Sequence, residues 1–238
     1  MQLERMENAN RTEWVVEQLT RSILAGETPL DQPLPPERQL AERLGVSRNV
    51  LREATKILQT QGLVAVRQGI GTIVLGVSSI PAQRALSHTL NGLADPLLKL
   101  LEVRLTLEVE VASLAADRRT DVDLARLEAA LDAFDAAARE NDFETCARLD
   151  VEFHQNLASS TQNEVFTFML ESVSGLLLET RKRSLLNSTL QLAGTHHRAI
   201  FHSVRAGDPV GAAHQMRLHL RTSQMETEAW LRRLAGES

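Results

Sequence analysis

The stretch that decides the fold of the first part of this chain is residues 34–74, LPPERQLAERLGVSRNVLREATKILQTQGLVAVRQGIGTIV. It predicts a helix over about Glu37–Leu44 that ends at Gly45, and a second helix that Ser47 caps and that reaches about Gln61. Two β-branched runs, LVAV and TIVL, flank RQGIG, which is typical of a hairpin. Two helices joined by a tight turn, followed by a two-stranded wing, indicate a winged helix-turn-helix.

The residues upstream of this stretch predict one more helix and an extended segment. The helix runs from about Thr12 to Ala25 and stops at Gly26. Its apolar residues fall near helical spacing, and they are Trp14, Val15, Leu19, Ile23 and Leu24. Four prolines at 29, 33, 35 and 36 predict extended backbone up to the motif, because proline lacks a donor and restrains its predecessor.

Residues 75–92 predict a linker that leads into a short helix around Ala82–Leu90, and every segment after them predicts helix. Asp95-Pro96 and Asp208-Pro209 both place a capping residue before a first-turn proline, and Asp121 and Asp142 are further caps. The chain is therefore predicted to be mainly α, with an N-terminal winged helix-turn-helix and a C-terminal all-α bundle of six or seven helices. The predicted divisions are 1–76 for the winged domain, 77–93 for a linker and connecting helix, and 94–238 for the bundle.

Composition narrows the class of protein. The 238 residues include one cysteine, Cys146, so a disulfide framework and a cysteine-rich zinc site are excluded, and a buried apolar role is expected for that thiol. No apolar run approaches the roughly 20 residues that cross a bilayer, and the polar start is unlike a secretory signal, so a cytoplasmic location without membrane contact is expected. The net charge is −5, yet residues 31–74 carry six basic and four acidic side chains, a net of +2.

Residues suited to DNA contact lie in the first two turns of the helix that follows Ser47. Arginine suits bidentate contact with guanine and asparagine with adenine, and the helix presents Arg48, Asn49 and Arg52. Its opposite face is apolar, with Leu51, Ala54, Ile57 and Leu58 expected to pack on Leu40 and Leu44. The alternative is a solvated amphipathic helix beside an ordinary hairpin.

The motif closely resembles the GntR family of bacterial transcription regulators, whose signature is L-P-S-E-R-x-L-A-x-x-x-G-V-S-R-x-x-V-R-E-A-L-x-x-L-x-x-x-G-L-V followed by G-x-G. This chain departs from it at Pro36, where serine is usual, and at Thr55, where leucine is usual. The resemblance implies a homodimeric regulator that binds near-palindromic, double-stranded operator DNA. It also implies these DNA-binding residues: Arg38, Ser47, Arg48, Asn49, Arg52, Gln68 and Gly69.

A second group of residues suggests a metal site in the bundle. Asp150 and His154 are four residues apart on a predicted helix and so share a face. His197 lies on the penultimate predicted helix and His219 on the last. One carboxylate and three imidazoles suit zinc, nickel or manganese. The alternative is a surface pair with two unrelated histidines.

Residues 97–220 resemble the FCD ligand-binding domain of the FadR subfamily, through LLEVRLTLEVEVASLAA, LDVEFHQNLASSTQNEVF and HHRAIFHSVRAGDPVGAAHQMRLHL. The resemblance implies a divalent transition metal held by Asp150, His154, His197 and His219. It selects His197 over His196, because the family's ligand directly precedes R-A-I. Residues 94–238 are accordingly expected to bind an effector and to dimerise.

Two residues are expected to contact the effector. Arg104 stands in an otherwise apolar run; a buried arginine seeks an anion, and the alternatives are an ion pair with Glu108 or an exposed position. The resemblance implies that Arg104 faces the carboxylate of a small organic acid. Asn163 either shapes the pocket or only caps its helix.

The combined prediction is a metabolite-responsive transcriptional repressor that is not an enzyme. One rival is a metal-dependent enzyme with a DNA-binding appendage, which is disfavoured because the motif segments lack a nucleophile paired with a base. The other rival is a DNA-bridging structural protein whose pocket binds nothing.

Overall fold

A computed structural model of the chain describes residues 2–76, 78–93, 95–185 and 190–235. The chain divides into two compact units, Met1–Ala82 and Gln83–Ser238, so the division falls within the predicted connecting segment. Val77 and Ala94, at which the predicted linker and the predicted second domain begin, lie outside the described residues.

The first unit holds three helices and the wing. They are α1 (Gln2–Leu24), α2 (Glu37–Leu44), α3 (Arg48–Thr60), β1 (Val64–Arg67) and β2 (Gly71–Val74). The strands pair antiparallel, from Val64 opposite Val74 to Arg67 opposite Gly71. Gly45 ends α2 with φ 65°, a left-handed conformation that favours glycine. The winged helix-turn-helix is confirmed; the predicted start of α1 at Thr12 was wrong, because the helix begins at Gln2.

The proline-rich segment before α2 runs along β2. Asp31 and Leu34 donate their backbone N–H groups to the carbonyls of Val74 and Thr72 at 2.9 and 2.7 Å. The extended conformation predicted from the prolines is present over residues 32–36, where β2 supplies backbone partners. The prediction was wrong for Leu30 and Asp31, which form a turn in which Asp31 has φ 60°.

The core of the first unit joins α1, α2, α3 and the wing. Its buried members from the helices include Val15, Leu19, Ile23, Ala41, Val50, Leu51, Ala54 and Leu58. Three residues counted as apolar-face positions in the sequence are exposed instead: Trp14 (43%), Leu24 (59%) and Ile57 (39%). The apolar stripe is narrower than the sequence pattern, because only positions spaced three or four residues apart face the partner helices.

The second unit is a helical bundle. Its elements are α4 (Ile80–Leu90), which begins in the first unit, α5 (Pro96–Arg118), α6 (Asp121–Arg139), α7 (Phe143–Ser159), α8 (Glu164–Leu185), α9 (Leu190–Ala206) and α10 (Pro209–Ala235). The prediction of six or seven helices is confirmed. Among the described residues, none of the helices combines the length and apolar character that crossing a bilayer requires.

The helix caps agree with the sequence at some ends and differ at others. The Asp142 carboxylate accepts from the Thr145 N–H at 3.0 Å, as predicted. α6 is capped by Thr120 rather than Asp121, and Thr120 forms a capping box with Asp123. Asp95 makes no side-chain cap, because its backbone is left-handed, with φ 54°.

A charged layer interrupts the apolar interior of the bundle. The main apolar cluster includes Val111, Ala115, Leu131, Phe153, Ile200 and Met216, and a smaller one is centred on Leu100 and Val173. The ionisable groups buried in the same unit include Arg104, Glu108, Asp150, His154, His197 and His219. Buried charges require partners, so this layer is the place to look for a site.

Candidate functional sites

The predicted DNA-contacting residues all lie on the surface of the first unit. Arg38, Ser47, Arg48, Asn49, Arg52, Gln68 and Gly69 are exposed. The Ser47 hydroxyl accepts from the backbone N–H of Val50 at 3.3 Å and so caps α3. The cap fixes the start of α3, whose first two turns bury Val50 and Leu51 and leave Arg48, Asn49 and Arg52 exposed.

Glu37, which the sequence analysis did not single out, binds both arginines of α3. Its two carboxylate oxygens accept from Nε of Arg48 at 3.1 Å and from Nε of Arg52 at 2.9 Å. Arg52 and Arg48 hold the pKa of Glu37 below its ordinary value. The arginine side chains stay 60% and 53% exposed. Glu37 is thus placed to orient both guanidinium groups, and its 11- and 15-residue separations from them give no local sequence signal.

A cleft of about 890 Å³ lies between α3 and the wing. Its basic lining residues are Arg52, Lys56 and Arg67, and Gln68 and Gly69 of the wing border it. The cleft therefore joins predicted contacts from the helix and from the wing into one concave surface, which carries three basic side chains and the acidic Glu37. Phosphate binding depends on such local clustering rather than on net charge.

The four residues predicted to hold a metal converge in the bundle. Asp150 and His154 come from α7, His197 from α9 and His219 from α10, and one ligand atom from each lies within 4.8 Å of the others. All four side chains are at most 2% exposed. His197 and His219, rather than the neighbouring His196 and His214, join the group.

The spacing of the donor atoms suits a shared ion. Metal–nitrogen bonds of about 2.0–2.1 Å place two adjacent ligand nitrogens about 3.0–3.4 Å apart. Nε2 of His154 and Nε2 of His219 are 3.2 Å apart, and Nε2 of His197 is 3.4 Å from Oδ1 of Asp150. The set of one carboxylate and three imidazoles suits zinc, nickel or manganese, so the residues fit the group that the FCD resemblance implies.

α9 is held closely against α6, which positions His197. Arg198 donates from Nε and Nη2 to the Asp135 carboxylate at 3.0 and 2.6 Å, and from Nη2 to Asp132 at 2.7 Å. One turn earlier, a Cβ on Gly194 would lie 3.1 Å from Oδ1 of Asp135. The ion pairs of Arg198 and the small Gly194 together set how closely α9 approaches α6, and therefore the position of His197.

Arg104 and Glu108 form a buried pair beside the quartet. Nε of Arg104 donates to Oε1 of Glu108, and Oε2 of Glu108 contacts Nδ1 of His154. Arg104 and Glu108 are 3% and 1% exposed. Burial alone would raise the pKa of Glu108, but Arg104 and His154 outweigh it and lower that pKa to about 2. The ion pair weighed in the sequence analysis is present, whereas the contact with His154 was missed, because it joins two helices.

The chain matches two family models that agree with this geometry. Residues 11–74 match the bacterial regulatory proteins of the gntR family, and residues 99–222 match the FCD domain. The chain belongs to the GntR family. It is a DNA-binding transcriptional regulator with an FCD domain, and its relatives are regulators rather than enzymes.

Several relatives cover most of this GntR-family regulator. The HTH-type transcriptional regulator LutR of Bacillus subtilis is 37% identical over 204 residues, which span 83% of this chain and 92% of LutR. The Glc operon transcriptional activator of Escherichia coli is 32% identical over 219 residues, which span 88% of this chain and 86% of the activator. The solved Streptococcus agalactiae GntR structure superposes with a TM-score of 0.72 at 31% identity, covering 90% of this chain and 99% of that one.

Asn163 lies at the start of α8 in the regulator, where its side-chain oxygen accepts from the backbone N–H of Val165 at 3.0 Å. This contact is that of a helix cap, the simpler of the two roles predicted for it. A contact between Asn163 and an effector stays a prediction.

Cys146 of the regulator is fully buried on α7, and burial raises the pKa of its thiol to about 11. The reactive form of a thiol is the thiolate. We therefore expect native protein at pH 8 to resist iodoacetamide, and urea-unfolded protein to be alkylated readily. Mass spectrometry after timed quenching measures the two rates, and equal rates would contradict the structural role.

Proposed function

We propose that this regulator is a homodimeric repressor whose FCD domain binds a divalent transition metal and a small organic acid. The observation that supports the proposal most directly is the buried convergence of Asp150, His154, His197 and His219. Three imidazoles and a carboxylate left without an ion would be a costly group to bury. A bound cation offsets that cost and leaves coordination positions for an oxygen ligand.

Different residues of this chain would bind the metal and the organic acid. The quartet would hold zinc, nickel or manganese, which, when bound, supplies a Lewis-acid anchor for an acid's oxygens. Arg104 supplies a second, fixed positive charge in the same buried layer. Burial lowers the pKa of Arg104, but the carboxylates of Glu108 and, to a smaller extent, Asp150 raise that pKa by more. Guanidinium groups favour planar carboxylates, so a small acid is the ligand class that both positive groups accommodate. Asn163 is the further effector contact that we propose.

The name of one relative agrees with an organic-acid effector, and the names of relatives differ in regulatory sign. The galactonate operon transcriptional repressor of Escherichia coli is 29% identical over 84% of this chain, and its name refers to a sugar acid. Another relative is an activator by name. We propose repression relieved by the acid, which can act only by binding one arrangement of the protein more tightly than the other.

A homodimer follows from the proposed mode of DNA reading. One winged domain presents a single α3, whereas a twofold pair reads the two halves of a near-palindromic site. Acting on operator DNA, the protein would work in the cytoplasm.

The test uses the purified full chain. We expect metal analysis after dialysis to find about one divalent transition metal per chain. A thermal-shift panel of sugar acids, hydroxy acids and dicarboxylates should contain at least one hit. At a hundredfold excess over its dissociation constant, a ligand stabilises by about 2.7 kcal/mol, which corresponds to roughly 5–10 °C for a chain of this size.

A chelator arm separates the proposal from its rivals. An acid that stabilises the protein should no longer raise its melting temperature once the metal is removed. The same acid should weaken operator binding in a gel-shift assay without being consumed. Retained metal with no hit across the panel would favour a DNA-bridging protein. A protein that takes up no metal would remove the proposed sensor mechanism.

A further inference from the structure

We propose that Glu108 is the positioning residue of the metal centre. Its Oε2 sets the tautomer and orientation of His154, while its Oε1 holds Arg104, so metal affinity depends on the Glu108 carboxylate and not on the arginine. The inference rests on the proposed function, since it assumes that the quartet holds a metal. Glu108 lies on α5, which contributes no ligand to the quartet.

The first step of the argument concerns the two nitrogens of His154. Nδ1 lies against Oε2 of Glu108, and Nε2 lies 3.2 Å from Nε2 of His219. In a neutral imidazole one nitrogen carries the proton and the other a lone pair. A carboxylate beside Nδ1 keeps the proton there and leaves the lone pair of Nε2 facing the quartet. Carboxylate partners of this kind fix the ring and strengthen its ligand nitrogen.

The second step concerns the sharing of one carboxylate. Oε1 of Glu108 is taken by Nε of Arg104, and the three side chains Arg104, Glu108 and His154 are at most 3% exposed. With so little access to water, both neighbours must be satisfied by the same group. A carboxylate can do this because both of its oxygens accept. An amide cannot, because one of its two ends only donates.

This asymmetry predicts the effect of E108Q. The buried guanidinium of Arg104 would attract the amide oxygen, which turns the amide NH₂ towards Nδ1 of His154. Nδ1 would then accept and the proton would move to Nε2. Nε2 could bind an ion only after that proton is displaced, which costs free energy. Loss of an outer partner of a ligating histidine weakens metal affinity by about 10- to 100-fold.

Removing the arginine should reverse part of that loss. In R104M the Glu108 carboxylate remains beside His154, so metal binding should be no weaker than in wild type. In R104M/E108Q the amide oxygen is no longer drawn to a cation and can accept from Nδ1. The double variant should therefore bind metal more tightly than E108Q and more weakly than R104M.

The experiment titrates Zn²⁺ alone into each full-length variant against a chromophoric chelator. Co²⁺ absorption reports the ligand field, which should change in E108Q and return towards wild type in the double variant. E110Q is the matched control, because Glu110 is exposed on the same helix, and it should bind Zn²⁺ as wild type does. Circular dichroism and gel filtration check that each variant is folded.

The outcomes separate this inference from the proposed function. If wild type binds no Zn²⁺, the proposed metal site itself fails. The positioning role is overturned if wild type binds Zn²⁺ and the Zn²⁺ affinity of E108Q stays within about threefold of wild type. It is also overturned if R104M/E108Q binds Zn²⁺ no more tightly than E108Q. If E108Q does not fold, the Zn²⁺ affinity of R104M can still be compared with that of R104M/E108Q. This comparison sets the carboxylate against the amide in the absence of the buried guanidinium. Equal affinities of the two variants would overturn the positioning role of Glu108.

Discussion

Replacing Arg52 with alanine is expected to remove about 1–3 kcal/mol of operator binding at each half-site, the usual contribution of a bidentate base contact. Arg52 lies on the exposed face of α3, its side chain is 53% exposed, and it borders the cleft between that helix and the wing. If a dimer engages two half-sites, the loss applies twice, since distant substitutions add. A gel-shift or fluorescence-anisotropy titration at fixed salt, against operator and unrelated DNA, measures it.

Two variants show whether this loss is specific. Arg21→Ala removes the same charge from an exposed position on α1 and should leave operator affinity within about twofold, because isolated surface substitutions have small effects. Glu37→Gln keeps both arginines but removes the carboxylate that orients them, so it should lower discrimination between operator and unrelated DNA while leaving binding to unrelated DNA intact. Operator affinity unchanged in Arg52→Ala would reject its base-reading role.

Replacing His154 with alanine is expected to abolish metal retention through dialysis while operator binding by the metal-free protein stays mostly intact. His154 supplies Nε2 to the quartet, and the remaining Asp150, His197 and His219 lack the donor that lies 3.2 Å from His219. The residues predicted to contact DNA belong to the other compact unit, so their surface need not change. Elemental analysis after dialysis and gel shift without added metal give the two readouts.

His214→Ala is the matched control for that experiment. His214 is exposed on α10, five residues before His219, and should keep a full complement of metal. If His154→Ala retains as much metal as His214→Ala, His154 is not a ligand. If His154→Ala also loses operator binding while staying folded, operator binding by the metal-free protein depends on the second unit as well, contrary to the prediction.

Local chemistry in the sequence was sufficient for most of the fold. Gly45 and Ser47 place the turn between α2 and α3, and Asp142 caps α7 as expected, because these signals act within three or four residues. The predictions failed where a local signal competed with its surroundings. Thr120 caps α6 in place of Asp121, and Asp95 takes a left-handed conformation instead of capping α5.

By itself, the sequence determined the winged motif, the helical bundle, the exposed arginines of α3 and which four residues converge in the bundle. The motif depends on short-range spacing, and the quartet on a family pattern. Only the tertiary structure decided that Glu37 holds Arg48 and Arg52, and that Glu108 also contacts His154. Those contacts join different helices, and side chains distant in sequence meet only when packing sets the distance and rotation of their helices.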